Sequence, residues 1–122
     1  MRILITNDDG FNADGIKSLK KIALEMSTNE NIFVVAPSEN QSAKSRSITY
    51  KKGFQIIKKS NNEFSVDGTP TDCIIFALEH LMKDKKPDIV LSGINWGYNL
   101  AEDTFYSGTI AAALEAADRG IL

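Results

Sequence analysis

Three short runs constrain the fold more than any other feature of this chain: "RILIT" at 2–6, "NIFVVAP" at 31–37 and "PDIVLSG" at 87–93. Each is β-branched or apolar at consecutive positions, so each reads as a strand buried on both faces. Between the first two lies "GIKSLKKIALEM", where Ile16, Leu19, Ile22, Ala23 and Met26 recur at helical spacing. Strands that need cover on both sides, separated by helices, imply parallel pairing with right-handed crossovers in a doubly wound α/β sheet. At 122 residues the chain is expected to be one domain, residues 1–122.

Other segments fill in this outline. "SENQSAKSRS" (38–47) has no hydrophobic period and reads as loop. "SITY", "FQIIK" and "EFSVD", broken by Lys52-Gly53 and by Ser60-Asn61-Asn62, predict a small antiparallel insertion. "TPTDCIIFALEHLMK" announces a helix, with Thr69 as N-cap, Pro70 at the first helical position and Asp72 three residues after the cap. A Gly/Asn/Asp-rich loop is expected from Ile94 to Tyr106, and "SGTIAAALEAADRG" predicts a last helix closing on Gly120.

Charge and composition exclude several function classes. Lys plus Arg number 14 against 16 Asp plus Glu, a formal charge of −2 without long blocks of one sign. Nothing here draws the molecule to nucleic acid or to an anionic membrane, so a small-molecule partner is expected. The single Cys73 cannot form an internal disulfide, which makes a reducing cytoplasm the economical compartment. His80 is the only histidine and stands within "FALEHLMK", so mechanisms needing two histidines are excluded.

Ligands of doubly wound sheets bind beyond the carboxyl ends of the strands. That rule collects Asn7-Asp8-Asp9-Gly10, Ser38 to Ser42 and Ser92-Gly93-Ile94-Asn95 on one edge. Asp8 and Asp9 repel each other there unless a proton or a cation intervenes. With Asp14 expected to cap the next helix, the acids could serve only as polar caps. A hard divalent ion such as Mg²⁺ or Mn²⁺ suits the pair better, with neutral oxygens from a Ser or Asn of "SENQS" and from Asn95; zinc suits it less, because neither Cys nor His lies in these loops. Ser107, Gly108 and Thr109 open the Ala-rich helix, where free N–H groups and the dipole favour an anion and glycine permits its close approach. An ion opposite N–H donors is what phosphoester hydrolysis requires. Trp96 could stack on a nucleobase or cover the core, Lys44 and Arg46 could meet a phosphate, and Cys73 reads as a buried small hydrophobe.

These segments, "RILITNDDG…A.GI..L", "VVAP…NQS..S.SIT", "DGTPTDC", "PDIVLSGIN.G.NL" and "YSGT..AA.EA", together resemble the SurE family of survival-protein nucleotidases, in order and along nearly the whole chain. The resemblance implies a Rossmann-like fold and a phosphatase, dependent on one divalent metal ion, that acts on nucleoside 5′- and 3′-monophosphates, in some members also on short polyphosphate. It carries the metal ligands onto Asp8, Asp9, Ser42 and Asn95. The phosphate-contacting segment falls on Ser107, Gly108 and Thr109, with Asn99 nearby, and Asp8 or Asp9 orients or deprotonates the attacking water. Family members commonly have glycine after the ligand serine, whereas here Ala43 follows Ser42. They also continue about as long again and form homo-oligomers through a C-terminal arm, so this chain is expected to lack the C-terminal part of the fold, to leave a sheet edge open and to be impaired in dimerisation. Two alternatives stand beside the nucleotidase: a truncated remnant that only binds metal or nucleotide, and a Mg²⁺-binding receiver-like signalling domain.

Overall fold

The computed structural model describes residues 1–41 and 53–122. Its sheet has five strands: β1 (Ile3–Thr6), β2 (Ile32–Pro37), β3 (Ile56–Ser60), β4 (Glu63–Val66) and β5 (Ile89–Ser92), in the spatial order β3-β4-β2-β1-β5. All pairs are parallel except β3 with β4. The helices are α1 (Asp14–Met26), α2 (Pro70–Phe76), α3 (Asp103–Tyr106) and α4 (Gly108–Asp118). The mostly parallel α/β sheet predicted from the sequence is therefore the observed one.

Alternation along the strands divides the core in two. Ile3, Ile5, Ile32, Val34 and Ala36 turn to one face and pack with Ile16 and Ala23 of α1. Leu4, Val35, Phe64 and Val66 turn to the other and pack with Cys73 and Ile74 of α2 and Ala112 and Ala116 of α4. β1 and β2 thus bury both faces, which is why their sequences show no polar alternation, whereas β4 alternates as Glu63-Phe64-Ser65-Val66.

The expected antiparallel pairing is present among the described residues, between β3 and β4. β4 joins the main sheet in parallel, Val34 opposite Glu63 and Pro37 opposite Val66. Among the described residues only β3 runs against it, exposed throughout as an edge strand carrying Lys58 and Lys59, residues that discourage further pairing. The "SITY" segment lies outside the described residues. Beyond β5, the backbone N–H of Val90 donates to the Leu122 carbonyl (2.8 Å), so the chain runs back along that edge.

Three helix expectations need adjusting. Ala13, not Asp14, is the N-cap of α1, and Asp14 is its first residue, paired with Lys17 at 3.2 Å. The apolar stripe of α1 narrows to Ile16, Leu19 and Ala23, while Ile22 and Met26 stay about half exposed. α2 begins with the full capping box, Thr69 accepting from the Asp72 N–H (3.2 Å) and Asp72 Oδ2 accepting from the Thr69 N–H (2.9 Å). It then widens into a π turn over Ala77–Leu81, where the Met82 N–H reaches the Ala77 carbonyl. Among the described residues no helix is long and apolar enough to cross a membrane.

Candidate functional site

The loop after β1 is closed by its own side chain. Asn7 is fully buried; its Nδ2 donates to the Gly10 carbonyl (2.8 Å) and its Oδ1 accepts from the Gly10 N–H (3.2 Å). Gly10 takes a φ of +106° and lies so near the chain after β2 that a Cβ would stand 3.2 Å from the Glu39 carbonyl carbon, an arrangement only glycine tolerates. The Gln41 N–H donates to the Asp8 carbonyl (2.6 Å), joining the loops after β1 and β2.

The two acids are pinned to different elements. Thr109 Oγ1, in the first turn of α4, donates to Asp8 Oδ1 at 2.6 Å. The backbone N–H of Trp96, after β5, donates to Asp9 Oδ2 at 2.8 Å. Asp8 is buried, and burial holds its carboxyl above the usual carboxylate range; the Thr109 hydroxyl pulls the other way and the neighbouring Asp9 charge adds to the rise. A buried carboxylate beside another carboxylate is a group that a cation would stabilise.

Gly108 also meets a packing demand. A Cβ there would meet the Asp8 Cβ at 2.8 Å and the Pro70 Cγ at 3.1 Å, so the glycine makes room for Asp8. Ser107 caps the helix, its Oγ accepting from the Ile110 N–H (3.3 Å), which leaves its hydroxyl proton to give elsewhere.

Asp8, Asn95, Asn99 and Ser107 line one cavity of about 230 Å³, together with Tyr98 and Tyr106. Metal candidates from the loops after β1 and β5 thus face phosphate candidates at the start of α4. Asp103 also lines this cavity; sequence reading passed over it because one more acid in a Gly/Asn/Asp-rich loop carries no signal until α3 turns it inward. Thr109 is spent on Asp8 and does not line the cavity. Asp9 borders an adjoining cavity of about 450 Å³ that shares Asn95 and Trp96 with the first. Ser42 lies outside the described residues, as do Ala43, Lys44 and Arg46.

The donor set suits a hard divalent ion. Asp8 and Asp9 offer carboxylate oxygens, and Asn95 turns its Nδ2 to the Gly97 carbonyl (3.3 Å), leaving its amide oxygen as a ligand. Among the described residues no three His, Cys, Asp or Glu side chains gather into a metal-holding group, so neutral oxygens and water would complete the coordination.

Neither the cysteine nor the histidine takes part. Cys73 is fully buried, and burial, reinforced by the Asp72 charge, pushes its thiol well up, which makes it a core residue and not a nucleophile. His80 rests its ring on Phe76, centroids 5.8 Å apart, and lines a different cavity with Glu79, Lys83 and Arg119.

The geometry defines a doubly wound α/β protein whose acidic first loop meets the start of its last helix at the carboxyl edge of the sheet. The sequence profile of the family described as "Survival protein SurE" matches residues 3–122, and the chain belongs to that family. It is 51% identical over 121 residues to the 5′-nucleotidase SurE of Paramagnetospirillum magneticum, covering 99% of this chain and 46% of that one. It is 49% identical to the 5′-nucleotidase SurE of Beijerinckia indica, covering 99% and 45%. The crystal structure of the SurE protein from Aquifex aeolicus matches with a TM-score of 0.92 at 38% identity, over 99% of this chain and 48% of that one. The chain spans about half the length of the curated relatives it matches.

Proposed function

We propose that this chain carries the metal- and phosphate-binding part of a cytoplasmic phosphomonoesterase that hydrolyses nucleoside 5′- and 3′-monophosphates. The observation that carries the reading is the single cavity bounded by Asp8 and Asn95 on one side and by Asn99 and Ser107 on the other. The names of the relatives, 5′-nucleotidase SurE, support the reaction class.

Asp8, Asp9 and Asn95 would hold one Mg²⁺ or Mn²⁺, with Ser42 as the further ligand the resemblance implies, and the ion supplies charge neutralisation at the phosphoryl oxygens. The remaining work falls to the chain itself. The Asn99 amide and the Ser107 hydroxyl donate to the phosphate oxygens. Thr109 fixes the carboxylate of Asp8 through its hydroxyl. Asp9, engaged through Oδ2 by the Trp96 N–H, has Oδ1 to accept the proton of an attacking water. The phosphorus–oxygen ester bond breaks as that water adds, and the proton taken by Asp9 passes to the leaving oxygen, so that the nucleoside departs as its alcohol.

Phosphate release from AMP with and without Mg²⁺ or Mn²⁺ tests this. Metal-dependent release is expected, reduced about 10²–10⁴-fold in Asp9→Ala, the usual contribution of a positioned base. A short polyphosphate in the same assay reports whether that substrate is also used. Metal binding without turnover would make the chain a binding remnant. Acetyl phosphate labelling of one aspartate would point to a receiver, although a receiver needs its acceptor aspartate at the end of a central strand, and the ends of β2 and β5 carry Pro37-Ser38 and Ser92-Gly93.

A further inference from the structure

The adjoining cavity is the larger of the two, about 450 Å³ against about 230 Å³, and Asn95 and Trp96 form the ridge between them. Its walls are Asp14 and Ser18 of α1 on one side, Ile94 and Trp96 of the loop after β5 on the other, with Asp9 at its edge. Two features distinguish it from a surface hollow. Trp96 is 93% exposed although its backbone is tied to Asp9, so a large apolar ring is held in water beside the acid pair. The opposite wall also approaches closely without side chains between: a Cβ on Gly15 would stand 2.0 Å from the Ile94 carbonyl oxygen, so the start of α1 lies directly on the Ile94 backbone.

A nucleoside monophosphate has two parts of unequal size, and the two cavities differ in the same sense. Resting on the phosphatase reading, we propose that the smaller cavity takes the phosphate and the larger one takes the nucleoside, with the base stacked on the indole of Trp96. Asp14 and Ser18 are four residues apart on α1 and so share one helix face. They offer a carboxylate acceptor and a hydroxyl to the sugar hydroxyls. Asp14 forms a solvent-exposed ion pair with Lys17, which leaves Oδ2 available, since Lys17 engages Oδ1. Stacking tolerates every base, because each has a π face, so this subsite selects nucleotides over sugar phosphates without choosing strongly among bases.

Trp96 is the only tryptophan, so the chain's indole emission reports this site alone. Adenosine is expected to quench it, and ribose 5-phosphate, which lacks a base, is expected to leave it unchanged. In equilibrium dialysis, Trp96→Ala weakens adenosine binding about tenfold, the scale of one base stacked on an aromatic ring, and Trp96→Phe restores it to within about threefold. Unchanged emission with adenosine, or equal adenosine affinity in the wild type and Trp96→Ala, overturns the assignment. Failure of the phosphatase reading is distinguishable: AMP and ribose 5-phosphate would then both release no phosphate, whatever adenosine does to the emission.

Discussion

The loops that follow β1 and β5 stand side by side at the same sheet edge and are built in opposite ways. The first is held shut. Asn7 bonds Gly10 in both directions, Asp8 is bonded to Thr109 and through its carbonyl to Gln41, and Asn7 and Asp8 are buried. The second is open, with Trp96, Tyr98, Leu100, Phe105 and Tyr106 all more than 60% exposed. A charge pair must be fixed and desolvated to act on a phosphate, whereas a surface that receives an aromatic ring must stay bare until the ligand arrives. The two loops meet at the bond from the Trp96 N–H to Asp9, and the start of α1 rests on the second loop through Gly15 against Ile94.

The largest effect is expected where that junction is broken. Gly15→Ala would gain up to about 1 kcal/mol of helix propensity, but its Cβ would collide with the Ile94 carbonyl, a backbone atom that cannot swing away. Overpacking of this kind costs about 1–3 kcal/mol and sometimes more, so the variant should be less stable in urea denaturation and, under the proposed reaction, release phosphate more slowly. A gain in stability would show that the start of α1 and the second loop are not locked together.

Thr109→Val tests the closed loop alone. It keeps the shape and removes the donor to Asp8, leaving a buried carboxylate oxygen short of a partner at a cost of about 1–3 kcal/mol. Because that bond favours the charged form, the Asp8 carboxyl should rise further, and the acid limb of the rate profile should move to higher pH. A profile that stayed in place would detach Asp8 from the rate.

A smaller effect is expected from pH itself. The folded chain holds the Asp8 carboxyl above its ordinary 3.8, so the stability this group contributes is fully present below that value and is lost as pH rises through the raised one. In EDTA, stability measured from about pH 4 to about pH 7 should therefore fall less in Asp8→Asn than in the wild type. A divalent ion should reverse the ranking at neutral pH, because only the carboxylate gains from it.

The smallest effect belongs to the open loop. Tyr98 is 88% exposed, and Tyr98→Ser should change the unfolding free energy by less than about 0.5 kcal/mol. A larger loss would mean that the aromatic loop supports the fold.

Much of the candidate site was legible because its parts follow directly from strand ends. Asp8, Asp9 and Asn95 stand at the carboxyl edge of a parallel sheet, and Ser107 caps a helix whose Ala-rich pattern is plain. Asp103 and Asp14 were harder to place. Asp103 needs a short helix to aim it, and Asp14 reads as a cap although the backbone begins the helix one residue earlier.

Local chemistry alone determined the alternation of strands and helices, the capping box of Thr69 and Asp72, and the acidic pair at the end of β1, because each depends on residues within one turn or one strand of each other. Tertiary structure decided that β4 pairs in parallel with β2, that α1 buries only a narrow stripe, and that Gly108 accommodates Asp8. Those outcomes depend on neighbours brought together by folding, such as Thr109 and Asp8 across 101 positions of chain, and no local pattern encodes which of them will touch.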